Sequence, residues 1–367
     1  MKQGYNRLES LDTLRGFDMF FIMGGDLLLI SLATLLPCGV TEFFAQQMRH
    51  VAWDGFAIKD MVFPLFLFIA GISFPFSVAK SRSMGLSQGR IYLKIVRRAI
   101  LLVLLGMVYN GLLKLDFAHT RYASVLARIG IAWAVSAVLF INFGKKTRAV
   151  IAAAILVGYW LLLWLVPAPD AAGAAPFSFE GNIVGYVDRL LLPGKLASGT
   201  FDPEGLLSTL PAVVTAMLGM MTGETVQSGK YSGAKKAAMI AAAGILLVIV
   251  GKVWDLQFPI NKKLWTSSYV CFVGGLSAML FALFYYIIDV RGIRGGTLFF
   301  KVIGMNSITI YMFQKMVKVS YTTDFLSKGL AGLLPESASE FVYAVFYIAI
   351  CWCFLYFLYK KNVFLKV

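Results

Sequence analysis

Charge is what this chain lacks. Only 14% of its 367 residues are Asp, Glu, Lys or Arg, against roughly a quarter in soluble globular chains. So little charge cannot clothe a water-facing surface, and 59% of the residues are hydrophobic. The outer surface must therefore meet lipid, where backbone polar groups are satisfied only within helices or closed barrels. Barrel strands alternate apolar and polar residues over about ten positions. Here the apolar runs are continuous and about 20 residues long, which is helix length for a bilayer. Histidine is scarcer still, with two in the whole chain, so a His-rich metal site is excluded and no metal is expected. The four cysteines (Cys38, Cys271, Cys351 and Cys353) form no C-x-x-C pair, and they read as small buried hydrophobes. No short-period repeat is present, which excludes a solenoid. The halves share no convincing similarity, which argues against an inverted-repeat transporter. The first apolar run lacks a small-x-small exit and reads as a retained span rather than a cleaved leader.

Ten spans are expected, at about 13–36, 57–79, 91–113, 122–142, 147–167, 206–227, 234–254, 265–288, 297–320 and 338–359. Pro64 and Pro75 are expected to interrupt the second and Pro211 the sixth. The fold class is thus all-α, one polytopic transmembrane domain over 1–367. The net charge of +15 does not imply nucleic acid, because the positives sit in short loops. With the N-terminus placed in the cytoplasm, 17 of the 34 basic residues, Lys2, Arg7 and Lys366 among them, fall in cytoplasmic segments. Nine fall on the opposite side and eight within spans. Both termini are therefore expected inside. The long loop 168–205 and the loop 37–56, which ends in RHVAWDGF, lie outside.

An ionisable group in a span costs roughly 2.5–3.5 kcal/mol at the helix centre, so each one needs a reason. Asp26 lies about 13 residues into the first span, roughly 20 Å from its inner edge. Asp60 and Arg128 lie near the outer ends of spans two and four, and His50 just precedes span two. Arg15, Arg97, Arg98 and Lys301 lie near inner ends. The pattern is an outer acidic zone holding a histidine and an inner basic zone. Inner basic residues commonly snorkel to lipid phosphates. Arg97 and Arg98, however, point about 100° apart on a helix and cannot both face one lipid. A mid-helix aspartate often pairs for packing, and a lone loop histidine is often merely solvated. A chemistry that uses both zones is acyl transfer. Basic groups grip the phosphates of acetyl-CoA inside, the pantetheine arm threads the helices, and a histidine takes the proton of an outer nucleophile. An amine acceptor, being mostly protonated near neutrality, needs such a base.

At these residues the chain resembles the heparan-α-glucosaminide N-acetyltransferase family of transmembrane acyltransferases, in a short bacterial-type form. The N-terminal segment Arg7-Leu8-Glu9-Ser10-Leu11-Asp12-Thr13-Leu14-Arg15-Gly16 is similar to its R-L-x-S-x-D-x-x-R-G pattern. More specific is His50-Val51-Ala52-Trp53-Asp54-Gly55-Phe56 followed by Asp60 and Phe63-Pro64-Leu65-Phe66-Leu67-Phe68. Further matches are Arg121, Val125–Gly130, Phe201-Asp202-Pro203-Glu204-Gly205, Pro259-Ile260-Asn261-Lys262-Lys263-Leu264-Trp265 and Gly304-Met305-Asn306-Ser307. The resemblance implies transfer of acetyl from cytosolic acetyl-CoA to an amino-sugar or glycan amine on the outer side of a bacterial inner membrane. It implies His50 as base assisted by Asp26, and an acceptor site of Trp53, Asp54, Asp60, Asp202, Glu204 and Lys262. The donor side is expected at Arg15, Arg98 and Lys301, with Arg128 or Asn306 at the developing oxyanion. A homodimer is also implied. Asp26 and Asp54 depart from asparagines in the family pattern, and a luminal domain and one N-terminal span of the lysosomal members have no counterpart. Two other readings remain open: an O-acetyltransferase of an envelope polysaccharide, which would accept hydroxyls, and a secondary transporter of sugar or anion, which would consume no acetyl-CoA.

Overall fold

A computed structural model describes residues 8–171 and 173–365. Lys2, Arg7 and Lys366 of the basic tally lie outside the described residues. Among those residues all regular structure is helical, apart from one isolated bridge between Arg121 and Gly194. The helices are α1 (Glu9–Phe20), α2 (Asp26–Leu35), α3 (Gly39–Gln47), α4 (Ile58–Ser83), α5 (Gln88–Tyr109), α6 (Val125–Asn142), α7 (Lys145–Leu165) and α8 (Ile183–Leu191). They continue with α9 (Thr209–Gln227), α10 (Gly233–Asp255), α11 (Ser267–Phe284), α12 (Thr297–Met305), α13 (Ser307–Met316), α14 (Val319–Ala331) and α15 (Glu336–Lys360). Among the described residues, seven helical segments are long and apolar enough to cross a membrane: Glu9–Leu35, Ile58–Ser83, Val125–Asn142, Lys145–Leu165, Gly233–Asp255, Ser267–Val290 and Glu336–Lys360. The chain is an all-α membrane protein.

Several spans differ in detail from expectation. The first is a wide π-turn at Phe21–Gly25 joining α1 to α2, with Gly24 at φ 123°. Only a residue without Cβ takes that conformation freely. The expected span 297–320 is split at Asn306 into α12 and α13, neither longer than 10 residues. The two loops expected outside are not structureless either, since α3 and α8 lie within them. Conversely, Pro64 and Pro75 do not interrupt α4, which runs unbroken for 26 residues. Pro64 has no N–H for the carbonyl of Asp60 four residues back. The Tyr269 hydroxyl donates to that carbonyl instead, at 2.7 Å. Pro211 sits in the first turn of α9, where its missing N–H costs nothing. Cys271 and Cys351 are buried as expected, but Cys38 and Cys353 are exposed; all four are free thiols.

Close helix approach is built on glycine. A Cβ on Gly219 of α9 would overlap the Phe68 carbonyl of α4, and one on Gly71 of α4 would overlap the Ala216 carbonyl. The α1–α12 pair repeats the device at Gly16 and Gly304. Small residues substitute in lipid for the hydrophobic drive that operates in water. The largest core cluster fills the space between α4, α5, α6, α9 and α11, with Leu67, Ala132, Ala137, Ala216 and Tyr269 fully enclosed.

Antiparallel packing gives the bundle two ends. At one, Glu9 meets Lys301 and Arg294, and Arg148 meets Glu224. At the other, the loop after α3, the loop after α10 and the segment around α8 come together.

Candidate active site

The second end holds the only arrangement among the described residues in which an imidazole, a carboxylate and an ammonium meet. Asp60 lies in the first turn of α4, three residues after the N-cap Ala57. One of its oxygens, Oδ2, accepts the backbone N–H groups of Ala57 (3.2 Å) and Val51 (3.4 Å). The first bond satisfies the N-cap N–H at the helix start, and the second ties the preceding loop to it. They also aim Oδ1 outward, where it lies 2.7 Å from Nδ1 of His50 and 3.2 Å from Nζ of Lys262. The carboxylate side chain is 3% exposed and the imidazole 52%. A carboxylate only accepts hydrogen bonds, so in a neutral imidazole this contact favours the proton on Nδ1 and the lone pair on Nε2; Lys262 Nζ also lies 3.3 Å from Nδ1.

The loop bearing His50 is stapled to the loop bearing Lys262. Gly55 N–H donates to the Ile260 carbonyl at 2.8 Å, Asn261 Nδ2 to Asp54 at 3.1 Å, and Lys263 Nζ to the Ala52 carbonyl at 2.6 Å. Burial depresses the Lys262 ammonium below the usual lysine range, against the opposing pull of Asp60. Together with Trp53, Glu204, Lys263 and Trp265, these groups line a cavity of about 210 Å³. Trp53 is fixed by an Nε1–H bond to the Phe177 carbonyl (3.0 Å) and edge contacts with Phe179 and Phe201. Trp265 forms part of the wall in a left-handed conformation, φ 53°. That is an outlier for a bulky residue, held by packing against Phe63 and Tyr269.

Beside the cavity, Arg121 grips Asp202 through two bonds (2.7 and 2.6 Å) and also pairs with Glu204. Burial opposes the Asp202 charge, but the Arg121 guanidinium overcomes it and holds that carboxyl below its usual range. Asp188 of α8 supports the same turn, accepting N–H bonds from Asp202 (3.1 Å) and Leu206 (3.0 Å). Burial dominates there and pushes its carboxyl up to about 6.

Of the acceptor residues expected from sequence, His50, Trp53, Asp60, Glu204 and Lys262 converge on this cavity. Asp54 and Asp202 stand outside it as braces, their oxygens taken by Asn261 and Arg121. Asp26 pairs with Lys59 at 2.7 Å and does not line the cavity. Arg128 is fully buried, bonded to Ser208 and stacked 4.9 Å from the Trp265 ring, with Nε and Nη1 unpartnered. Asn306 bonds the C-terminal segment through Val363 (3.2 Å) and Leu365 (3.4 Å). The sequence reading passed over Arg121, Lys263 and Trp265 as site residues, although all three stand within its motifs; Lys59, the partner of Asp26, directly precedes Asp60.

At the opposite end, a cavity of about 350 Å³ between α4, α5 and α6 is lined by Arg98, Arg97, Lys94, Ser77 and Ser81. Arg98 lies over Trp133 (4.2 Å), and its buried Nε has no partner. Such a group suits a phosphate oxygen. Arg15 is within electrostatic range of Arg98 but bonds Asp12 and Ser73, and Lys301 bonds Glu9. The three expected donor-side bases thus do not line one cavity.

No family model matches the chain. Among curated proteins, the heparan-alpha-glucosaminide N-acetyltransferase of Homo sapiens is 27% identical over 417 aligned positions, covering 98% of this chain. That of Mus musculus is 28% identical over 99% of it. The chain is thus similar over nearly its whole length to the heparan-alpha-glucosaminide N-acetyltransferases. It spans about three fifths of the length of these relatives, 60% and 61%. Three of the segments through which the chain resembles that family in sequence, 50–60, 201–205 and 259–265, supply the walls of the His50 cavity.

Proposed function

We propose that this protein is an acetyl-CoA-dependent N-acetyltransferase acting on the amine of a glucosamine-type sugar, with His50 as general base. The observation that carries the reading is the Asp60–His50 pair, 2.7 Å apart, opening into a cavity that also holds Trp53, Glu204 and Lys262. Asp60 keeps the Nδ1–H tautomer, so Nε2 faces the acceptor. Glu204 attracts the sugar ammonium, Trp53 offers a flat face to the pyranose, and Lys262 bonds ring hydroxyls. His50 Nε2 first takes one proton from the ammonium. The freed lone pair then bonds to the acyl carbon and the carbon–sulfur bond breaks. The leaving CoA thiolate takes that proton from the imidazolium, and the second nitrogen proton passes to Nε2 and on to solvent. Acetyl-CoA supplies the activated acyl group. Lys94, Arg97 and Arg98 hold its phosphates, with Ser77 and Ser81 completing the cradle.

The donor must span the bundle. Phe63 beside the first cavity and Phe74 in the second are 11 residues apart on α4, about 16 Å along the helix. The two cavities share no lining residue. The pantetheine arm therefore parts the aromatic pairs Phe63–Trp265 and Phe74–Trp133 to reach His50. In this reading ten spans place both termini in the cytoplasm of a bacterium and the His50 end outside, and the lone carboxylate of Asp26 orients the region through Lys59.

The test is purified protein with labelled acetyl-CoA and either glucosamine or N-acetylglucosamine. Expected is an amide product from glucosamine alone, lost in His50→Ala. Acetylation of both sugars would point to hydroxyl transfer, and absence of any CoA release would end the proposal.

A further inference from the structure

A second cavity at the His50 end, about 630 Å³, lies between the C-terminal turns of α5 and α13 and the loop that follows α5. Its wall carries Lys114, Lys195, Lys315 and Arg121, and no carboxylate. Arg121 is already committed to Asp202 and Glu204. The three lysines have no acidic partner among the described residues; Lys315 only overlies the Tyr109 ring at 5.5 Å. His119, also in the wall, is paired with Asp116 on the same loop.

This gathering needs an explanation. The His50 end is poor in basic residues, with nine of the 34 by the division drawn from sequence. Three of those nine, Lys114, Arg121 and Lys195, meet here with Lys315. Like charges in one cavity repel unless an anion joins them. The rim identifies the anion. Leu113 is 70% exposed and Met316 64%, and Leu115 beside them is 70% exposed. Large apolar side chains next to free ammonium groups at helix ends match the boundary between acyl chains and headgroups.

We propose that this cavity binds the phosphate-bearing headgroup of an anionic membrane phospholipid. Its acyl chains would lie against Leu113 and Met316, and the phosphate among Lys114, Lys195 and Lys315. An acidic neighbour on the acceptor glycan is the less favoured occupant. This cavity shares no lining residue with that of His50, and the Arg121–Glu204 pair stands between them.

The experiment incubates purified full-length protein with mixed phosphatidylcholine and phosphatidylglycerol vesicles and measures retained lipid by native mass spectrometry. Wild type should retain phosphatidylglycerol preferentially. Each lysine near a phosphate contributes about fivefold, so Lys114→Ala/Lys195→Ala/Lys315→Ala should lower the preference about a hundredfold. The single Lys195→Ala should lower it about fivefold, which keeps the test available should the triple variant fail to fold. Lys146→Ala/Lys230→Ala/Lys361→Ala removes equal charge elsewhere and should leave the preference intact. Equal retention of both lipids by wild type, or unchanged preference in the triple variant, overturns the proposal. So does a triple variant with intact lipid preference and a raised KM for an acidic glycan acceptor alone, which assigns the cavity to the acceptor.

Discussion

Replacing Asp60 by asparagine tests the centre of the site with almost no change of volume. In the native arrangement one carboxylate oxygen serves His50 (2.7 Å) and Lys262 (3.2 Å), and the other accepts the N–H groups of Ala57 and Val51. Asparagine has one acceptor oxygen and one donor amide. Either orientation sets a donor against donors: the amide faces the backbone N–H pair, or it faces the Lys262 ammonium and His50 Nδ1. Breaking a buried ion pair by removing one partner costs about 3–5 kcal/mol. The Lys262 side chain is 24% exposed, which lowers the expected loss to roughly 2 kcal/mol. The catalytic effect is larger. Without the carboxylate the wrong tautomer competes, and turnover should fall about 10³–10⁴-fold. The KM for acetyl-CoA should not change, because the Arg98 cavity lies at the other end of α4. Two measurements separate these effects: thermal melting in detergent and steady-state acetyl transfer to glucosamine. Asp60→Asn/Lys262→Met should recover the melting temperature without recovering turnover. Turnover of Asp60→Asn within tenfold of wild type, alongside an inactive His50→Ala, would falsify the role given to the carboxylate.

Three further outcomes follow from other parts of the molecule. Arg98→Ala should raise KM for acetyl-CoA about ten- to a hundredfold, the worth of a charge-assisted bond, while KM for glucosamine holds; equal changes in both would move the donor site elsewhere. Gly219→Val should force α4 from α9 and lower stability by about 1–3 kcal/mol or more, whereas Gly229→Ala, with open space around it, should melt like wild type. Asp188, raised by burial to about 6 from 3.8, binds its proton more tightly folded than unfolded. Its contribution is therefore fully present below pH 4 and lost as pH rises through about 6. Asp188→Asn should flatten that window in a pH series of melting curves, and an unchanged slope would contradict the burial argument.

Hydropathy was enough to establish the membrane class and the long apolar helices, because it depends on which residues neighbour one another along the chain, whereas α3 and α8 were read as loop. The ten spacings between His50 and Asp60 were legible for the same reason: one loop and one helical turn join them. The split at Asn306 was not, since hydropathy runs through it unchanged while the break depends on bonds from Asn306 to Val363 and Leu365. Nor was the continuity of α4, which Tyr269 secures from 209 residues away.

What the sequence determined alone is the apolar helical bundle and the nearness of His50 to Asp60, which it assigned to acceptor binding while naming Asp26 as the partner of His50. The tertiary structure decided which charges serve the cavity and which brace it. Lys262 reaches Asp60 across 202 residues, while Asp202 is consumed by Arg121 and Asp26 by Lys59. The reason is that hydrophobic periodicity is a local property, whereas a buried charge takes its partner from whichever helix end packs beside it.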